Sequence, residues 1–254
     1  MKKSIYIFSK KTNVDFLKDL PFLSEHFNII FCQNLNAHET LSKNFDFISL
    51  SDGDYELFKP LIKAINWKTS HIGVADVLMK EGSHYKPLNL TADCIFQVLK
   101  NKKYALNTSL SVMIIGSYDF VLSVAVKAAL SGYSDIIISL FEDSRRQELE
   151  RKIKEFIFRL ELSFIKLNDL TQLQSTSALL ISNVSAQMDG DAFASIIYFN
   201  FLSHGAVFVD CQSHNDPALI EEAQRAELNV IEEIEILTLK YKTLIELSKI
   251  SSLV

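Results

Sequence analysis

The residues with the clearest chemical meaning in this sequence stand at Gly116-Ser117-Tyr118-Asp119, between the apolar run Ser111–Gly116 and the run Val121–Leu130. A buried strand that ends on glycine and turns into a helix is where nucleotide-binding folds hold a pyrophosphate. Their glycines let backbone N–H groups close on the phosphates at the helix N-terminus. Here one glycine of such a turn is left. Gly116 serves the tight turn, while the ring of Tyr118 fills the approach. The Asp119 carboxylate repels phosphate, and it also fits the role of helix cap. A second group is acidic: Asp52, Asp54, Asp76 and Asp93. These residues fit solvated loop acids and caps, and equally a pocket for a neutral or cationic ligand. Asp76 interrupts the apolar run Ile72–Lys80, and if buried there it needs a partner or a raised pKa.

Other chemistry is weaker. Asp210, Cys211 and Ser213–Asp216 supply the residue types of a hydrolytic triad, but consecutive loop residues do not converge as a triad does. His71 and His84 flank a turn and read as structural or surface groups. Cys32, Cys94 and Cys211 lie far apart, without CxxC spacing or a histidine at ligand distance, so no metal site is expected.

The chain around these residues has 254 residues, 48% of them hydrophobic and 22% charged, enough for one large or two modest cores. Its net charge is -5 and it has no basic tract, so nucleic acid is not an expected partner. The apolar part of "MKKSIYIFSKKTN" is shorter than the ~7–15 residues of a signal sequence, and no run reaches the ~18 of a membrane span. With few, scattered thiols, a cytoplasmic protein is expected. Only seven residues are glycine, so each retained one is informative.

Short apolar strands alternate with amphipathic helices. Strands are predicted at Ser4–Phe8, Asn28–Cys32 and Phe45–Leu50, and a helix over Asp54–Trp67 broken or bent near Pro60. Ile72–Lys80 and His84–Leu88 read as a hairpin, and Thr91–Lys102 as a helix capped by Thr91. Further on, strands are predicted at Ser111–Gly116, Asp135–Leu140, Ser177–Asn183, Ala206–Asp210 and Asn229–Ile231. One long helix is expected over Asp143–Leu162. The pattern predicts an α/β protein of two lobes. An N-terminal α/β domain, 1–101, is completed by the last helix, 237–254. A Rossmann-like parallel-sheet domain, 102–236, follows a linker at Asn101–Asn107. A small-molecule ligand is expected in the cleft between them, at the carboxyl ends of the strands.

The order and spacing of these segments from about Asp46 onward resemble the shikimate dehydrogenase family. "FISLSDG" (Phe47–Gly53) is similar to the family's NVTIPHK, "IGVADV" (Ile72–Val77) to IGAVNT, and "PLNLTADCIF" (Pro87–Phe96) to its GxNTDGxGF. Gly116-Ser117-Tyr118-Asp119 stands at GxGGxxxA, "SLFE" (Ser139–Glu142) at the Asn-Arg-Thr segment, and "SNVSAQM" (Ser182–Met188) at the late NAT-containing segment. The resemblance implies an NADP-dependent oxidoreductase of shikimate and 3-dehydroshikimate. It places Gly53 at the catalytic lysine, and Ala92, or Asp93 one residue on, at the catalytic aspartate. Of the substrate-contacting residues it leaves Ser49, puts Asp76 at an asparagine, and puts Lys240 at a late glutamine. For NADP or NAD it implies Gly116, Ser117, Tyr118, Glu142 at the ribose and Arg145 at a phosphate, with binding weakened or lost. Either the activity is altered, or the chain is a pseudoenzyme that binds a metabolite or a protein partner. A homodimer is open to such a scaffold.

Overall fold

β-Branched and aromatic runs form the strands of two sheets, and the apolar stripes of the intervening segments turn into the helices that cover them. The computed structural model describes residues 2–8, 20–32, 36–62, 72–104, 107–157, 160–173, 177–184, 190–211 and 217–250. The chain divides into two units, residues 1–91 with 237–254, and residues 92–236. The division falls at 91/92 rather than at the polar stretch 101–107.

The first unit contains β1 (Lys3–Phe8), α1 (Phe22–His26), β2 (Phe27–Cys32), α2 (Ala37–Ser42), β3 (Phe47–Ser49), α3 (Tyr55–Phe58), β4 (Val77–Glu81) and β5 (His84–Leu88). Its sheet runs β2-β1-β3-β4-β5. β1 is parallel to β2 and β3, and β4 is antiparallel to β3 and β5. The tight β4–β5 hairpin needs a left-handed residue, which Gly82 supplies at φ 60°. Tyr6 stacks on Phe45 at 4.7 Å over a core that includes Ile48, Tyr55, Phe58 and Leu78. The Tyr85 hydroxyl, buried in that core, donates to the Phe45 carbonyl at 3.0 Å.

The second unit begins within α4 (Leu90–Asn101). It continues through β6 (Ser111–Gly116), α5 (Tyr118–Leu130), β7 (Asp135–Leu140), a 3-10 turn (Asp143–Arg145), α6 (Arg146–Phe156), β8 (Glu161–Phe164), β9 (Ser177–Ser182), α7 (Gly190–Ile197), β10 (Leu202–Asp210), α8 (Pro217–Arg225) and β11 (Asn229–Ile231). All pairings of its sheet, β11-β10-β9-β6-β7-β8, are parallel. β6 and β9 are buried at every position, as strands covered on both faces must be. α9 (Glu233–Ile250) starts in this unit and returns to the first from Leu237.

Some predicted elements differ in their bounds, as the strand expected at Ala206–Asp210 starts at Leu202. Of the segment 54–67, the described helix is Tyr55–Phe58; Lys59 keeps helical backbone, and Pro60, which has no N–H to continue the ladder, follows it, so the break falls near the proline as expected; residues 63–71, with Trp67 and His71, lie outside the described residues. β4 starts at Val77, so Ile72–Asp76 precede the strand. The helix over 143–162 ends at Phe156, and Glu161 already pairs with Asp135 in the sheet.

Candidate functional site

In the first unit β3 ends at Ser49, a buried residue paired with Val77 across the ladder. That register brings Asp76 beside the strand end. The Leu50 N–H donates to the Asp76 carbonyl at 2.9 Å, and the Asp76 N–H to the Leu88 carbonyl at 3.0 Å. The fixed backbone aims the Asp76 carboxylate at the start of α4, where Oδ1 accepts from the Leu90 N–H and Oδ2 from the Thr91 N–H, each at 2.7 Å. The Thr91 hydroxyl also donates to Oδ2. From α9, Lys240 Nζ reaches Asp76 Oδ2 at 2.9 Å and Thr91 Oγ1 at 3.2 Å. Lys240 is 5% exposed. Burial works against a charge on Asp76, but the Lys240 ammonium and the Thr91 and Leu90 hydrogen bonds outweigh it and hold the carboxyl below its usual range. The acid that required a partner or a raised pKa thus has the partner.

Ser49, Asp76 and Lys240 therefore lie in one unit, and Thr91 joins Asp76 to Lys240. Thr91, predicted as the cap of α4, lies inside it: the helix starts at Leu90, and Asp76 caps it from the preceding loop. The hydroxyl at the helix start was the available signal for this role. Gly53 sits in an exposed turn at φ 81°, and the space around its missing Cβ is open. In the same turn Asp54 is buried and accepts the Ser51 N–H at 3.0 Å. Ala92 is buried and carries no titratable group. Asp93 is exposed and paired with Lys127 of α5. Lys59 pairs with Glu56 at 3.4 Å, and Lys63 lies outside the described residues.

In the second unit Gly116 closes β6. A Cβ there would lie 2.1 Å from Asn183 Oδ1 and 2.8 Å from Phe120 Cδ1. Asn183 follows β9, and its own N–H donates to the Ile115 carbonyl at 3.1 Å. Its Oδ1 accepts from the Ser117 N–H at 3.3 Å, and its Nδ2 donates to Ser117 Oγ at 3.2 Å. The glycine retained at this turn thus makes room for an internal carboxamide. The cap of α5 is Ser117, in extended backbone; Asp119, expected as the cap, lies inside the first turn.

Tyr118 opens α5 and is held by one face of the next helical segment. The Arg145 guanidinium stacks 3.5 Å from its ring centroid, and Lys152 Nζ lies 5.7 Å away. Glu148 accepts Arg145 Nε at 3.1 Å and Nη2 at 3.3 Å, and pairs with Lys152 at 3.5 Å. The Arg145 hydrogen bond is the main cause holding Glu148 below its ordinary pKa. Burial first, and Glu148 next, push the Tyr118 phenol well above its ordinary range. Glu142 is exposed at the end of β7, and Arg145 is committed to Tyr118 and Glu148. These residues do not fit a pyrophosphate. Asn183 takes the Ser117 N–H and the space beside Gly116, and a carboxylate stands in the first helical turn.

Cys211 is a poor nucleophile, because burial, Asp210 and Glu233 hold its thiol well above the ordinary range. Residues 212–216 lie outside the described residues. Among the described residues no group of three His, Cys, Asp or Glu side chains could hold a metal ion, and no helix is long and apolar enough to cross a membrane.

No protein-family model and no curated protein matches this chain. Solved structures do. Shikimate 5-dehydrogenase from Listeria monocytogenes, in complex with shikimate and NAD, is similar at TM-score 0.77 and 11% identity, over 96% of this chain and 91% of that one. Quinate dehydrogenase from Corynebacterium glutamicum, in complex with NAD, gives 0.72 and 10%, over 94% and 91%. Shikimate 5-dehydrogenase from Thermus thermophilus, in complex with NADP(H) and shikimate, gives 0.71 and 12%, over 95% and 90%. The fold of this chain is therefore that of the shikimate and quinate dehydrogenases.

Proposed function

We propose that this chain has given up the nicotinamide-dependent hydride transfer of the dehydrogenases whose fold it shares, and works as a binding protein for a small metabolite or a protein partner. The observation that carries this reading is Asn183, whose carboxamide fills the space beside Gly116 and takes the Ser117 N–H, 3.3 Å away, that a phosphate would need. The residues at the proton-transfer positions support it, since Gly53 and Ala92 bring no titratable group and Asp93, one residue on, is paired with Lys127. The fold's reaction needs both a held cofactor and a positioned acid–base pair, and neither has its residues here. Titration with NADH and with NADPH, followed by melting temperature, tests the reading. A ligand at about 100 times its Kd would stabilise the native state by about 2.7 kcal/mol. No shift is expected with either nucleotide at millimolar concentration, and a saturable shift with either one overturns the reading.

A second reading, NAD-linked redox on another substrate, is favoured by Glu142, an exposed acid at the end of β7 where NAD enzymes bind the ribose hydroxyl. A shift with NADH alone, abolished by Glu142→Ala, would establish it.

A further inference from the structure

We infer that the Asp76 carboxylate is a clamp on both connections through which the chain leaves and re-enters the first unit. The chain leaves that unit after Thr91 and returns at Leu237. The amides of Leu90 and Thr91, the last two residues before departure, both end on this carboxylate at 2.7 Å. Lys240, on the first helical turn after the return, ends on it at 2.9 Å. Thr91 Oγ1 closes the triangle with Lys240 at 3.2 Å. One side chain therefore anchors two segments far apart in sequence, at the residues where each joins the rest of the unit.

Capping alone does not account for this arrangement. A helix start is normally capped by its own neighbouring Ser, Thr, Asp or Asn, whereas here the acceptor is 14 residues upstream of Leu90. Nor is the ion pair a surface ornament, since the Lys240 and Asp76 side chains are 7% and 19% exposed. The resemblance to shikimate dehydrogenases puts two neutral, substrate-touching amides at these positions. Both have become charged, with opposite signs, so that each satisfies the other. The pair anchors the chain where the resemblance would have it read a ligand.

Hydrogen exchange on the full-length chain tests the clamp by asking whether the two segments loosen together. Asp76→Asn and Lys240→Gln are each expected to speed exchange of the amides at 90–92 and at 240–244 by about tenfold or more beyond the change at Ile5–Ile7 in β1, which reports the loss of stability of the whole unit. Should either variant fail to fold, Thr91→Val removes only the hydroxyl that touches both groups, and the same joint loosening is expected on a smaller scale. Two results overturn the clamp. One is loosening at 90–92 alone in Asp76→Asn with loosening at 240–244 alone in Lys240→Gln. The other is no loosening of either segment in Thr91→Val.

Discussion

At the scale of single residues, the most informative is the glycine that a nucleotide-binding turn would keep. Gly116 has ordinary backbone and is needed for space, because its Cβ direction ends 2.1 Å from Asn183 Oδ1. Gly116→Ala is therefore expected to lower stability by about 1–3 kcal/mol through overpacking. Asn183→Ala in the same chain should return much of that loss, read as a coupling energy in a denaturant-midpoint cycle. An unchanged midpoint in Gly116→Ala would refute the packing account. Asp76 makes a pH-dependent prediction. Its carboxyl titrates below the ordinary value in the folded chain, so the folded state binds that proton less readily than the unfolded one. The contribution is complete above the unfolded pKa of about 3.9 and is lost as the pH falls toward the folded value. Breaking the pair by Asp76→Asn should cost about 3–5 kcal/mol at neutral pH. The gap to the unsubstituted chain should narrow as the pH is lowered from about 5 to about 2, measured by urea unfolding. The need for a partner at Asp76 was legible in the sequence, as an acid inside an apolar run. That Lys240 would supply it was not, because the two lie far apart in the chain and only the packing of α9 brings them together.

At the scale of elements, continuous apolar strands and amphipathic helices were legible wherever one periodicity ran unbroken, as from Ser111 to Leu140. They were misread where a break is a matter of backbone conformation. Asp143–Leu162 keeps a helical stripe up to Phe156, after which pairing to β7 takes over, whereas the break near Pro60 was legible because proline has no N–H to continue a helix. The turn after β3 shows how such a difference reaches function. Gly53 adopts φ 81°, where a lysine side chain has room but its backbone is strained by about 1–2 kcal/mol. Ala92 is buried in α4, where an aspartate would need a partner. Replacing both, as Gly53→Lys with Ala92→Asp, restores the residue types of the family's acid–base pair. It is nonetheless expected to give no measurable NADP reduction with shikimate, because on the proposed reading Asn183 still takes the Ser117 N–H that a phosphate would need. Turnover above background in a coupled absorbance assay would show that the turn at Gly116 admits nucleotide after all.

At the scale of the whole molecule, the first unit is completed by a segment that arrives from the other end of the chain. From Leu237 onward α9 contributes Lys240, Tyr241, Leu244 and Ile245 as buried side chains. Tyr241, Leu244 and Ile245 are each worth about 2 kcal/mol of burial, together about 6, which is comparable with the whole stability of an ordinary domain. Lys240 adds the only counter-charge to Asp76 among the described ion pairs. The second unit draws its core from Met113, Ile115, Leu180, Phe201 and Phe208, and none of these comes from α9. A chain ending at Ile236 should therefore lose one unit and keep the other. Hydrogen exchange is expected to find β1 and β3 unprotected while β6 and β9 stay protected, with roughly half of the secondary-structure signal surviving by circular dichroism. Uniform loss of protection in all four strands would mean that the two units fold as one cooperative body, and uniform retention would mean that α9 is dispensable to the first.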